Sequence, residues 1–204
     1  MSMTRTALKT DLQRILGDAA QKFAADAGAF DRHLDLAALA LARKTRRTLS
    51  TKLSLIAGLA EYPAPADIID VKFSPWSDGG RQLKPWQGKL GPYPRPSLIE
   101  SGGTLTILLS PAPTPGQVAV LGSDYPLFYY AAYQITDVAG ETNIAPQYRD
   151  LLLIRATVQA LLELANMGIA KPVVLGSAGV GSMPKNGTPA ALAESWLAIF
   201  DGGR

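Results

Sequence analysis

The residues with the strongest claim to chemistry lie in a glycine-rich run, Gly176-Ser177-Ala178-Gly179-Val180-Gly181-Ser182-Met183-Pro184-Lys185. A phosphate-cradling Walker loop closes with Gly-Lys-Ser/Thr, so that backbone amides and a lysine reach the phosphates. Here Gly181 is followed by Ser182 and Met183. A dinucleotide fingerprint fails as well, because the third glycine position after Gly179-Val180-Gly181 holds Pro184. The favoured reading of 176–187 is a loop that orders on meeting a neighbour, ahead of a nucleotide site. His33 is the single histidine, so any Ser-His-Asp triad would need it. Its neighbours Asp31, Arg32 and Asp35 bring no nucleophile, and the spacing predicts a surface helix residue rather than a general base. Cysteine is absent, which excludes disulfides, thiolate zinc sites and a thiol nucleophile. Neither a metal motif nor a pair of carboxylates at acid/base spacing stands out. No catalytic, cofactor-binding or metal-ligating residue is therefore assigned, and no cofactor is expected.

Residues suited to binding are easier to find. Arg43-Lys44-Thr45-Arg46-Arg47 places four cations in five positions. On a helix they spread over a little under half the circumference and point away from the Leu34-Ala38-Leu41 stripe, giving an exposed basic face. A solvated surface is the plainest reading, an acidic protein partner the next, and phosphate contact the last. The net charge of +3 is too low for a dedicated nucleic-acid binder. The excess sits in the first third, since residues 1–60 hold ten Lys/Arg against five Asp/Glu. Trp86 and Tyr93, inside a proline-rich stretch, are candidate exposed anchors, and Trp196 is expected in a core.

The elements that must carry these residues follow from proline and periodicity. Eleven of the 15 prolines fall within 61–140, so that block is not mainly helical. The chain reads as helix, then strands and loops, then helix: an α+β protein divided into 1–60, 61–140 and 141–204, with the first and last segments forming one helical domain. Helices are predicted over Thr6–Ala25 and, from an Asp31 N-cap, to Leu49. Ser50–Leu59 is left open between helix and strand. Strands are predicted at Ile68–Phe73, Leu105–Leu109, Val118–Leu121 and Leu127–Ile135, with an irregular loop over Lys84–Pro96. Gln147–Met167 is the clearest helix. Leu151, Ile154, Val158, Leu161 and Ala165 follow 3.6 spacing, and Leu152, Leu162 and Leu164 widen a stripe suited to a bundle core or a subunit interface. Thr188-Pro189 opens a terminal helix to Phe200, after which 201–204 is expected to fray. No apolar run is long enough for a transmembrane helix, and Met1–Lys9 lacks the apolar region of a secretory signal.

This layout resembles the head–tail connector (adaptor, head-completion or neck) proteins of tailed bacteriophages. The carriers are the opening helices, the transition Tyr62-Pro63-Ala64-Pro65-Ala66-Asp67 and a β-rich insertion containing Leu105-Thr106-Ile107-Leu108-Leu109-Ser110-Pro111-Ala112-Pro113. After it come the re-entry Ala145-Pro146-Gln147-Tyr148 into an apolar helix and a final helix bearing Trp196. The resemblance implies a non-enzymatic virion protein at the head–tail junction, made in the host cytoplasm. It would form a ring, expected to be a dodecamer, under the portal protein. The ring would continue the DNA channel with passive contact to packaged DNA, and offer a docking surface to the next neck or tail protein, a stopper or tail terminator. No membrane partner is expected.

On that reading the interface candidates are Arg43, Lys44, Arg46, Arg47, Trp86, Tyr93, Leu151, Ile154, Val158, Leu161, Trp196 and Phe200. Two other readings stand beside it: a tail-terminator or minor tail protein, in which strands would dominate, and a small nucleotide-binding enzyme using the 176–187 loop.

Overall fold

The computed structural model describes residues 3–76, 90–138, 141–168 and 187–203. Trp86 and positions 176–186 of the glycine loop lie outside the described residues. The chain divides into two compact units. Met1–Thr45 with Tyr133–Arg204 form the first, and Arg46–Ala132 the second.

The first unit is helical. Helix α1 (Arg5–Leu16) opens with the Thr4 side chain accepting from the Ala7 amide, so one of the free first-turn N–H groups is satisfied. It ends at Gly17, whose φ of 55° suits glycine. A 3-10 segment, Gly17–Phe23, follows, so the stretch expected as one helix to Ala25 is broken at Gly17 and ends two residues early. Helix α2 (Ala29–Thr45) begins two residues before Asp31, which sits in the first turn rather than at the cap. There the Asp31 carboxylate pairs with Arg5 and Lys9 of α1 at 3.4 and 3.0 Å. A short 3-10 turn, Pro146–Tyr148, leads into α4 (Arg149–Asn166), and α5 spans Pro189–Gly202. Thr188 caps α5 by accepting from the Ala191 amide, and Pro189 fills the position where a missing N–H costs nothing. The helix runs on through Gly202, past the expected end at Phe200.

Helix α4 is the centre of this unit. It packs against α1, α2 and α5. Leu8, Leu12 and Leu16 of α1, Leu34 and Leu41 of α2, and Leu152, Leu161 and Leu164 of α4 are fully buried, with Leu192, Trp196 and Phe200 of α5 closing the cluster. Each such leucine contributes about 1.5–3 kcal/mol relative to exposure.

The second unit holds two three-stranded antiparallel sheets. The first sheet has the order β1 (Thr48–Ser54), β6 (Asp124–Ala131), β3 (Ile68–Phe73). The second has the order β2 (Glu61–Pro63), β5 (Thr104–Ser110), β4 (Arg95–Ser101). Strand β6 shows the period-two alternation of a half-buried strand, with Tyr125, Leu127, Tyr129 and Ala131 inward. These join Leu53, Leu55, Tyr62, Ile68, Trp76, Ile107 and Leu109 in a core richer in aromatics than the helical one.

Several expectations change. Strand β1 occupies the start of the stretch left open between helix and strand, so strands begin well before the proline cluster at 63–65. Val118–Leu121 is not a strand but part of helix α3 (Pro115–Leu121). Thr114 and Gln117 form a reciprocal capping box and Pro115 stands at the first turn, which overrides the strand preference of two valines. Strand β6 ends at Ala131, short of Ile135, which joins the helical core. Strand β4 takes Arg95 and Pro96 from the predicted irregular loop. Pro96 is tolerated because β4 lies at the edge of its sheet.

Candidate functional site

The basic run does not form one helical face. Helix α2 stops at Thr45, and Arg46 takes a φ of 50°, the left-handed conformation that commonly ends helices. Each cation therefore meets a different environment. Arg43 is exposed on the last turn of α2. Lys44 is half-buried: its ammonium donates to the backbone carbonyls of Phe200 and, at 2.9 Å, of Asp201, and it lies 4.8 Å from the centre of the Phe200 ring. A lysine on carbonyls that a helix end leaves unpaired is a C-terminal cap for α5. Arg46 is exposed. Arg47 belongs to the β unit, where it donates to the Ala132 carbonyl at 2.7 Å and pairs with Asp67 at 3.7 Å. The run leaves Arg43 and Arg46 outward, while Lys44 and Arg47 are engaged in their own units.

The apolar candidates also separate. Val158 and Leu161 are fully buried in the helical core, and Trp196 and Phe200 are buried with them. Of the two destinations the sequence left open for the α4 stripe, a bundle core takes these residues. Leu151 and Ile154 are only partly buried against that core. Gly203 is held against Leu151, since a Cβ there would meet Leu151 Cδ2 at 2.6 Å. Arg155 lies 5.7 Å from the Phe200 ring, so that ring carries cations from two helices. Tyr93 is half-buried in the β unit. It lines a groove of about 830 Å³ with Val71, Phe73, Pro94, Arg95 and Pro111.

His33 is not a surface residue. It is 2% exposed, with Nε2 2.8 Å from Glu163 Oε2 on α4 and its ring edge-on to Phe23 and Phe30. Nδ1 is buried without a hydrogen-bond partner among the described residues. Arg32 also reaches Glu163, at 3.3 Å, and Asp26, at 2.7 Å. The arrangement ties α2 to α4 through a carboxylate already held by an arginine, which is the chemistry of a helix clamp. Sequence reasoning missed it because His33 and Glu163 are 130 residues apart. Among the described residues no cluster of His, Asp or Glu could hold a metal ion.

Electrostatics differ between the units. The Asp26 carboxyl is held below the usual carboxylate range by the hydrogen bond from Arg32 and by the Gly28 amide. That of Asp137 is lowered by the Thr6 hydroxyl and amide. The Arg5 guanidinium is raised by its hydrogen bond to Asp35. In the β unit the shifts belong to phenols: burial pushes up Tyr125, and burial with the Asp67 contact pushes up Tyr129.

No curated protein matches the chain significantly. The family described as SU10 adaptor protein matches residues 3–200. That span includes the whole β unit and all but the last residues of the helical segments on either side of it. Helices from the two ends of the chain thus close around α4 while a β unit is carried between them, and with the match over nearly its whole length the chain belongs to the SU10 adaptor protein family of phage head–tail adaptors.

Proposed function

We propose that this protein is a structural head-to-tail connector that docks under the portal ring, extends the DNA channel and presents the attachment surface for the next neck or tail protein. The observation that carries the reading is the family match across residues 3–200. The family makes the chain a virion component that interacts with phage head and tail components. No helix among the described residues is long and apolar enough to cross a membrane. Helix accounts for 47% of the described residues and strand for 23%, which favours a helix-dominated connector over a strand-dominated tail part.

Its role is mechanical rather than catalytic. Copies assemble as a ring, a dodecamer, in which each subunit buries surface against its neighbours. Within the basic run Arg43 and Arg46 are the cations left exposed to meet an acidic partner surface, and Leu151 and Ile154 are among the residues of the α4 stripe that its own core leaves partly open. Imaging of purified virions with a gold label against this chain tests the reading. Label at the head–tail junction is the expected result, and label along the tail or absent from the particle overturns it.

A further inference from the structure

Both sheets of the β unit are open, so β1 and β3 lie at the edges of the first and β2 and β4 at the edges of the second. An edge strand presents unpaired N–H and C=O groups on which another strand can form, and proteins blunt such edges with proline, bulges or short length. Three of these edges are blunted in those ways. Strand β2 has three residues and ends in Pro63. The register of β3 is broken twice, between Ile68 and Asp70 and between Val71 and Phe73. Strand β4 carries Pro96. Strand β1 has none of these devices. It runs for seven residues, Thr48-Leu49-Ser50-Thr51-Lys52-Leu53-Ser54, in unbroken register with β6 and without proline. Its one charge, on Lys52, is answered within the sheet by Asp124 at 3.3 Å.

The direction of each β1 backbone group follows from the ladder. Bonded and non-bonded pairs alternate along antiparallel strands. The Ala131 amide donates to the Arg47 carbonyl at 2.9 Å, and the Leu55 amide donates to the Ser123 carbonyl at 2.8 Å. Both pairs continue the β1–β6 register, so the odd-numbered residues between them turn their groups towards β6. Pro126, which has no N–H to give, accordingly stands opposite the even-numbered Lys52. Its carbonyl faces the other way and accepts from the Ser74 hydroxyl at 2.6 Å. The N–H and C=O groups of Thr48, Ser50, Lys52 and Ser54 therefore point away from the sheet. Among the described residues none of these groups meets a backbone partner, and all four residues are exposed.

We propose that β1 is a self-pairing edge: the free chain forms a dimer in which β1 runs antiparallel to β1 of a second copy, about a two-fold axis at Thr51. The strand reads almost alike from both ends. In this register Thr51 meets Thr51, Leu49 meets Leu53, Thr48 meets Ser54 and Ser50 meets Lys52. The outward groups of all four even-numbered residues then bond across the seam. The half-buried Leu49 gains a leucine neighbour, threonine faces threonine, and each lysine faces a serine, which is the matching that fixes strand register. The two neighbouring registers are worse. One sets Lys52 against Lys52, and the other sets Leu49 against Thr51 and carries Leu53 past the end of the strand. The near-palindromic sequence is what favours a second copy over a strand of any other protein. A two-fold contact is complete with two copies, so this dimer is a state of the chain outside any ring, and it covers the open ladder before assembly. The inference goes beyond the adaptor reading and does not rest on it.

The test uses the purified full chain, which has no cysteine of its own. Light scattering over a concentration series is expected to show a monomer–dimer equilibrium. Thr51→Cys is expected to cross-link the dimer on mild oxidation, because residues facing each other at a non-bonded pair lie about 4.5 Å apart, within disulfide reach. Ser54→Cys, at a more exposed position, is expected not to cross-link. Ser54 faces Thr48 in the pairing, so the two copies of position 54 stand roughly 20 Å apart. Should Thr51→Cys disturb folding, the exposed position 50 carries the same test. Ser50→Glu sets a carboxylate opposite Lys52 on both sides of the axis and is expected to tighten the dimer. Ser50→Lys sets lysine against lysine and is expected to loosen it, with dissociation constants about tenfold or more apart and the circular dichroism spectrum unchanged in both. A monomeric wild type overturns the proposal. So does cross-linking through Ser54→Cys as readily as through Thr51→Cys, or an oligomer that both Ser50 variants leave unchanged. None of these outcomes touches the adaptor reading, which the virion label decides.

Discussion

The two units are held by different physics. The helical unit buries aliphatic side chains around α4 and surrounds them with ion pairs: Arg5 with Asp31 and Asp35, Asp11 with Arg14 and Arg149, and Glu163 with Arg32 and His33. The β unit buries Tyr62, Trp76, Tyr125 and Tyr129. Its inner polar contacts are mostly neutral: the Tyr62 hydroxyl on its loop, Ser74 on the Pro126 carbonyl, Gln117 on two carbonyls. A long helix places charges three and four residues apart on its outer face, where they reach the next helix. A small sheet instead brings aromatic pairs across strands, such as Phe73 stacked on Phe128 at 4.8 Å, and must satisfy its irregular connections with side-chain hydrogen bonds.

If the units are separately held, damage should stay local. The largest effect is expected from Leu161→Ala, which removes a fully buried side chain at the hub of the helical core and should cost about 3 kcal/mol. Native-state hydrogen exchange should show lost protection in α1, α2, α4 and α5 while the amides of β1, β5 and β6 keep theirs. Equal losses everywhere would mean that the units unfold as one body. Gln117→Ala reverses the comparison at smaller scale. It leaves the Leu90 and Pro92 carbonyls without their donor and breaks the capping box, which should cost about 2 kcal/mol, with the loss confined to the β unit.

The smallest effect is the sharpest contrast, because it has opposite signs. The depressed carboxyls of Asp26 and Asp137 belong to the helical unit and are exposed, so each contributes little. Their contribution is present above the unfolded value of about 3.8 and is lost as pH falls through the lower folded values. The raised phenols of Tyr125 and Tyr129 contribute stability that is fully present below about pH 10 and lost as pH rises through their folded values. Amide spectra are expected to degrade first in the helical unit on acidification below pH 4, and first in the β unit above pH 10. The reverse order would contradict the division.

What the sequence made legible depended on whether a signal was local. The α4 stripe repeats every 3.6 residues over five turns and read correctly as a helix. Thr188-Pro189 read correctly as a helix start, because the cap and the residues that it serves are neighbours. Helix α3 was misread although its signal is local too. Val118, Val120 and Leu121 favour a strand, and the Thr114-Pro115-Gly116-Gln117 cap outweighs them. Strand β4 was hidden by Pro92, Pro94 and Pro96, since an edge strand tolerates proline and a run of residues cannot reveal which strand lies at an edge. The candidate interface was the least legible part. The basic run looked like a single face until Arg46 turned the chain, and Lys44 found carbonyls 156 residues away.

The helical unit is assembled from both ends of the chain, with the β unit as the interval between them, and this sets an order of events during synthesis. The β unit is contiguous and can complete its sheets as soon as it has left the ribosome. Helices α1 and α2 are made first, yet their buried faces find α4 only after roughly a hundred further residues have been added. At about 5–20 residues per second that wait lasts roughly 5–20 seconds. During it, Leu8, Leu12, Leu34 and Leu41 have no α4 to cover them. The interval is the period in which the nascent chain needs a chaperone most, and translation broken off before α4 yields a finished β unit attached to a sticky pair of helices.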